Sequence, residues 1–183
     1  MVATDHILAK FAEPVTGERL ELHRGILREK PSMSVEHGRV SFYLGFQLGQ
    51  QLDRAAYEVR VNHGRLRHER TSTYSIPDVV VIPRALVEQA QRHPSRLEIY
   101  DAPLPLVVEI WSPATGKYDV DEKIPLYRAR GDLEIWRVHP YEHTLTAWRR
   151  QPDGAYTTQV YRSGTVQPTA LPGVTVDLDE LFG

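Results

Sequence analysis

The chain has 183 residues, 41% of them apolar and 25% charged, a mix that suits one compact core burying roughly 70% of the unfolded surface. It contains no cysteine, which excludes a disulfide scaffold, a thiol nucleophile, thiolate zinc and iron–sulfur clusters. Lys+Arg 22 against Asp+Glu 24 leaves a net charge of −2, short of the basic excess of a tight nucleic-acid binder, and no leader pattern or apolar run of about 18 residues occurs, so a soluble, cytoplasmic protein is expected.

Taken in chain order, Glu18 to Lys30 carries apolar residues on both sides of Arg24-Gly25, as a hairpin does. Ser34 is placed to cap a helix running to about Arg54, with Val40, Leu44, Leu48 and Leu52 forming an apolar stripe. Tyr57 to Arg70 reads as strand, turn at His63-Gly64, strand. Ile76 to Ile82 and Leu104 to Ile110 are β-branched and aliphatic runs bounded by prolines, the pattern of central strands buried on two sides. Between them Arg84 to Arg92 suits a short helix ending before His93-Pro94.

A second helical stretch follows Asp119 and stops at Gly131. The segments Leu133 to Val138, His143 to Arg149, Ala155 to Tyr161 and Thr165 to Gln167 read as antiparallel strands, with turns at Pro140-Tyr141 and Pro152-Asp153-Gly154, before a last helical turn. No repeat or long linker intervenes. The expectation is one α/β (α+β) domain over residues 1–183, with a mixed central sheet flanked by helices and extra antiparallel strands.

Two carboxylates stand where folding alone would not put them. Asp78 follows Pro77 at the mouth of Val79 to Ile82, and Glu109 interrupts Leu106-Val107-Val108-Glu109-Ile110-Trp111. A buried ionised carboxylate costs several kcal/mol unless a cation or donor compensates it. If the strands are neighbours, Asp78 shares a face with Val80 and Glu109 one with Val107 and Trp111. Converging there with backbone and water oxygens, the pair suits Mg²⁺ or Mn²⁺, which could activate water against a phosphate, with a nearby Lys offsetting charge.

The same residues carry a family resemblance. Pro77-Asp78-Val79-Val80-Val81, then Val107-Val108-Glu109-Ile110-Trp111-Ser112-Pro113-Ala114-Thr115, then Asp119 and Asp121-Glu122-Lys123, Tyr127 and Glu134-Ile135-Trp136 resemble the Uma-type restriction endonuclease family of the PD-(D/E)XK nuclease superfamily. Gly17 to Glu29, Ser34 to Leu52 and Leu171 to Phe182 extend the likeness over nearly the whole chain. The resemblance implies a restriction-endonuclease-like core, Mg²⁺-dependent cleavage of DNA with Mn²⁺ as substitute, and metal ligation by Asp78, Glu109 and the Ile110 carbonyl. It makes Lys123 the catalytic lysine, since Trp111 stands where the superfamily usually has it, and Glu36 the accessory acid. Pro125 demands that the helix either begin close by, leaving Lys123 on its entry, or bend. His139 stands where the family tends to have Asp, a position expected to be structural.

Other features have plainer readings. His37 reads as a satisfied or exposed histidine, and no His-Glu-x-x-His or Gly-x-Ser-x-Gly pattern is present. Arg60, His63, Arg65, Arg67, His68 and Arg70 read as a charged hairpin. Gly45 and Gly49 read as close-packing positions. A homodimer is expected because symmetric dimers are the commonest oligomers. The competing reading is a catalytically inactive nuclease fold used as a binding or interaction module.

Overall fold

The computed structural model describes residues 20–30, 33–68, 73–91, 98–114 and 119–183. Gly17, Glu18, Arg70, Arg92, His93-Pro94 and Thr115, named above, lie outside them. The opening hairpin pairs β1 (Leu20–His23) with β2 (Ile26–Glu29), turning through Arg24 and Gly25, both at positive φ. Helix α1 (Val35–Gln51) begins where Ser34 Oγ accepts the His37 N–H at 3.2 Å, satisfying a donor that the first turn would otherwise leave open. β3 (Tyr57–Val61), β4 (Arg65–Arg67), β5 (Tyr74–Ser75) and β6 (Val79–Pro83) follow, then helix α2 (Arg84–Gln91), β7 (Ile99–Tyr100) and β8 (Leu106–Ile110).

The expected strand at Ile76 to Ile82 is therefore shorter, because Pro77 cannot donate to a ladder. A π-helical turn, Asp119–Lys123, leads into helix α3 (Ile124–Arg130), which stops at Gly131 with φ 80°. Pro125 thus falls in the first turn, where its missing N–H costs nothing. The tail forms β9 (Glu134–His139), β10 (Thr144–Arg150), β11 (Tyr156–Tyr161), β12 (Thr165–Val166), β13 (Val176–Asp177) and helix α4 (Leu178–Phe182), capped by Asp177.

The central sheet has the order β11-β10-β9-β8-β6-β3, parallel only between β8 and β9, whose connection carries the π turn and α3. A second sheet, β2-β1-β5-β4-β7, and the pair β12-β13 complete the mixed α+β architecture. On one face of the central sheet, Val40, Leu44 and Leu48 of α1 pack on Val79, Val81, Val108 and Trp136, with Leu178 and Leu181 of α4 closing the layer. On the other face, Val80, Ile82, Val107 and Ile135 meet Leu66, Tyr100, Ile124 and Tyr127. This two-sided burial explains the unbroken aliphatic runs of β6 and β8. Among the described residues no helix is long and apolar enough to cross a membrane.

Candidate active site

Asp78 lies just before β6, and its backbone is distorted. Its N–H goes to the Val108 carbonyl at 3.1 Å although Val108 already pairs with Val79, so two residues face one, as in a β-bulge. The bulge re-aims the side chain. Instead of simply sharing the face of Val80, the Asp78 carboxylate turns to the end of the sheet, where Oδ2 accepts the Ile110 N–H at 2.6 Å and His37 Nε2–H at 3.0 Å. Oδ1 takes the Lys30 ammonium at 2.6 Å, and the same ammonium reaches the Ile76 carbonyl and Asn62 Oδ1. Asp78 is 1% exposed. Burial pushes its carboxyl up, but Lys30 and His37 outweigh burial and hold it well below the usual carboxylate range.

Glu109, also buried, keeps the face of Val107 as its strand position requires. Its Oε1 accepts the Tyr127 hydroxyl at 2.5 Å, and Lys123 Nζ lies 3.3 and 3.4 Å from its two oxygens. Lys123 is closer still, 2.9 Å, to Glu21 Oε1 on β1. The π turn places it there, at the mouth of α3. Glu21 in turn accepts the Ile76 N–H at 2.8 Å, so the peptide units around Ile76 are held by Glu21 on one side and Lys30 on the other. Behind Tyr127, its hydroxyl lies 3.0 Å from Ser75 Oγ, itself 2.6 Å from His68 Nε2. Burial, then the Glu109 charge, pushes the Tyr127 phenol far up, so it remains a donor.

The structure thus brings Asp78, Glu109, Ile110 and Lys123 together at one end of the central sheet. Glu36 is not among them. It pairs with Arg39 at 3.0 Å on the outer flank of α1. Its neighbour His37 enters the cluster, and a signal for that existed. His37 stands two turns before Leu44 on the stripe of Val40, Leu44 and Leu48, whereas Glu36 is rotated from it by about 100°. Lys30 and Glu21 had no comparable signal, because a short hairpin does not reveal what it docks against.

One strand over, Arg137 pairs in register with Glu109 on the parallel β9. The buried Nε of Arg137 has no hydrogen-bond partner among the described residues. The next same-face pair, Trp111 and His139, stack with centroids 4.2 Å apart, and His139 Nδ1 also accepts the Glu142 N–H at 3.1 Å.

The Uma2 family model, described as "Putative restriction endonuclease", matches residues 9–179. The chain belongs to the Uma2 family. Among solved structures, a protein described as a "putative nuclease belonging to DUF820" from Anabaena variabilis superposes with a TM-score of 0.76 at 18% identity, covering 98% of this chain and 96% of that one. At that identity the likeness is one of fold, and it bears out the restriction-endonuclease-like core. None of the curated proteins matches the chain. Of the residues the resemblance singles out, Lys123 is brought to Glu109 from the helical connection between β8 and β9 rather than from β8 itself.

The donor chemistry suits a hard divalent ion. Asp78, Glu109 and the Ile110 carbonyl offer only oxygen, and Mg²⁺ usually takes one or two carboxylates and completes its shell with water. Among the described residues no group of three or more His, Asp or Glu is set to hold an ion. Charge points the same way as the donor chemistry: Glu21, Asp78 and Glu109 face two ammonium groups, Lys30 and Lys123, which leaves room for further positive charge.

Proposed function

We propose that this Uma2 protein is a metal-dependent endonuclease that hydrolyses DNA phosphodiester bonds. The observation that carries the reading is the burial of two neighbouring ion pairs at the sheet end, Asp78 with Lys30 and Glu109 with Lys123, the Lys123 charge also helping to hold the Asp78 carboxyl low. Asp78, Glu109 and the Ile110 carbonyl would hold Mg²⁺, with Mn²⁺ as a substitute. When bound, such an ion supplies electrophilic polarisation of a phosphate and acidifies water.

The chain's own groups have separate tasks. His37 Nε2–H and the Ile110 N–H hold the Asp78 carboxylate in one orientation, and Tyr127 does the same for Glu109. Lys123, fixed between Glu21 and Glu109, offsets charge growing on the attacked phosphate. Arg137, beside Glu109, is placed to take an adjoining phosphate of the same strand.

The test uses supercoiled plasmid with Mg²⁺ or Mn²⁺. Asp78→Asn and Glu109→Gln, isosteric changes that keep the packing, are expected to lower the cleavage rate by about 10²–10³-fold or more. Unchanged, chelator-sensitive cleavage by both variants removes them from the mechanism. One observation favours a second reading, the inactive binding module: the carboxylate oxygens of Asp78 and Glu109 already meet protein donors. Calorimetric titration with Mn²⁺ separates the two, since a cluster sealed by its own lysines takes up no ion.

A further inference from the structure

We infer that two copies of this chain associate through β3, continuing the central sheet across a two-fold axis. β3 is an edge strand of the six-stranded sheet. The direction of its peptide groups follows from bonds to its one neighbour: the Asn62 N–H goes to the Asp78 carbonyl, and the Arg84 N–H to the Ala56 carbonyl. Even-numbered residues of this stretch therefore turn their peptides toward β6. Tyr57, Val59 and Val61 turn theirs outward. The Tyr57 N–H is taken by the Asp53 carbonyl, which leaves the N–H groups of Val59 and Val61 along the open edge.

An edge of this kind is a template for another strand, and a symmetric pair requires the surface to complement itself. Centred on Val59, β3 does. Antiparallel pairing sets Val59 against Val59 of the second copy in a hydrogen-bonded pair, with the Val61 N–H reaching the other Tyr57 carbonyl. The alternate, closer pairs then oppose Glu58 to Arg60 and Arg60 to Glu58, opposite charges in both places. Centring the pairing on Arg60 would use the same outward peptides, with Val59 against Val61, but would set Arg60 against Arg60, so the charges select the Val59 register.

The flanking helix agrees. A two-fold axis normal to the sheet puts both copies of α1 on the same face, side by side. That flank of α1 is aromatic and open: Phe42 and Phe46, stacked at 6.2 Å, are 62% and 50% exposed, and Phe46 lines a groove of about 560 Å³ running along Tyr57, Val59 and Val61. Gly45 lets α1 come down on Val61 with no side chain between. The second copy's Phe46 is of a size and polarity to enter that groove.

Sedimentation equilibrium of the full chain tests this. The expected result is a dimer, and Val59→Pro is expected to be monomeric with an unchanged circular dichroism spectrum, because only an outward N–H is lost and Pro is tolerated at an edge. A wild-type monomer across the accessible concentration range, or a folded Val59→Pro dimer as strong as wild type, overturns the inference. Should Val59→Pro fail to fold, two readouts remain. Phe46→Lys at an exposed position weakens the dimer at least tenfold, and the Val59 and Val61 amides exchange more slowly as wild-type concentration rises. Unaltered association and concentration-independent exchange refute the β3 interface.

Discussion

At Asp78 the chain supplies its own cation. A carboxylate 1% exposed would otherwise lose more by desolvation than its hydrogen bonds return, and the Lys30 ammonium, itself 6% exposed, meets it at 2.6 Å. Lys30→Met leaves the negative charge buried with its other donors only, and the expected loss of stability is about 3–5 kcal/mol by urea denaturation. Millimolar Mn²⁺ is expected to recover more stability in this variant than in wild type. A loss below about 1 kcal/mol would mean that Lys30 is a bystander. The sequence exposed the acids of this pair of half-sites, because charge inside an aliphatic run is visible in one dimension. It hid Lys30 and Glu21, which sit 48 and 55 residues from the groups they bind.

Among the elements, α1 shows what a periodic pattern reveals and what it leaves out. Its cap at Ser34 and its stripe of Val40, Leu44 and Leu48 were readable, but Gly45 and Gly49 looked equivalent four residues apart. They differ in their surroundings. A Cβ on Gly45 would sit 2.5 Å from the Val61 side chain, whereas one on Gly49 meets nothing within 4 Å. Gly45→Ala is expected to push α1 off β3 and cost about 1–3 kcal/mol. Gly49→Ala is expected to gain about 0.5–1 kcal/mol from helix propensity. Thermal melts of the two at low protein concentration should move in opposite directions, and a common direction would refute the packing argument.

The same limit applies to the stretch around Lys123. Gly131 announced the end of α3, yet no local signal distinguishes a π turn from an α turn before Pro125, and it is the π turn that delivers the ammonium to Glu109. The β-bulge at Asp78 is another such case. Its cause is the arrest of the ladder at Pro77, and its effect is visible only when β8 is in place.

For the molecule as a whole, acid is the predicted weakness. Burial, reinforced by the nearby Arg130 guanidinium, lowers the His68 imidazole to about 3. The unfolded chain regains an ordinary value near 6.5, so its contribution is complete above that pH. Between there and about 3 the unfolded state takes up a proton that the folded state refuses, and stability falls by up to about 1.4 kcal/mol per pH unit. Asp78, held low in the fold, adds a loss of the same sign once the pH drops below the usual carboxylate range. His68→Gln is expected to flatten the slope of unfolding free energy between pH 6 and 4 by nearly one proton. An unaltered slope assigns the acid lability elsewhere.

The overall architecture was legible because buried strands, caps and turns write themselves locally. Sheet order and the docking of the opening hairpin did not, since both depend on partners far along the chain.

That hairpin carries a consequence for a clipped chain. Residues 20–30 give the centre both Glu21, which steadies Lys123, and Lys30, which steadies Asp78. A fragment lacking them keeps the two motif acids and still has no assembled centre. Under the proposed function, a chain clipped between residue 30 and Asp78 is expected to lose cleavage once the hairpin dissociates, because the carboxylate of Glu21 and the ammonium of Lys30 leave with it.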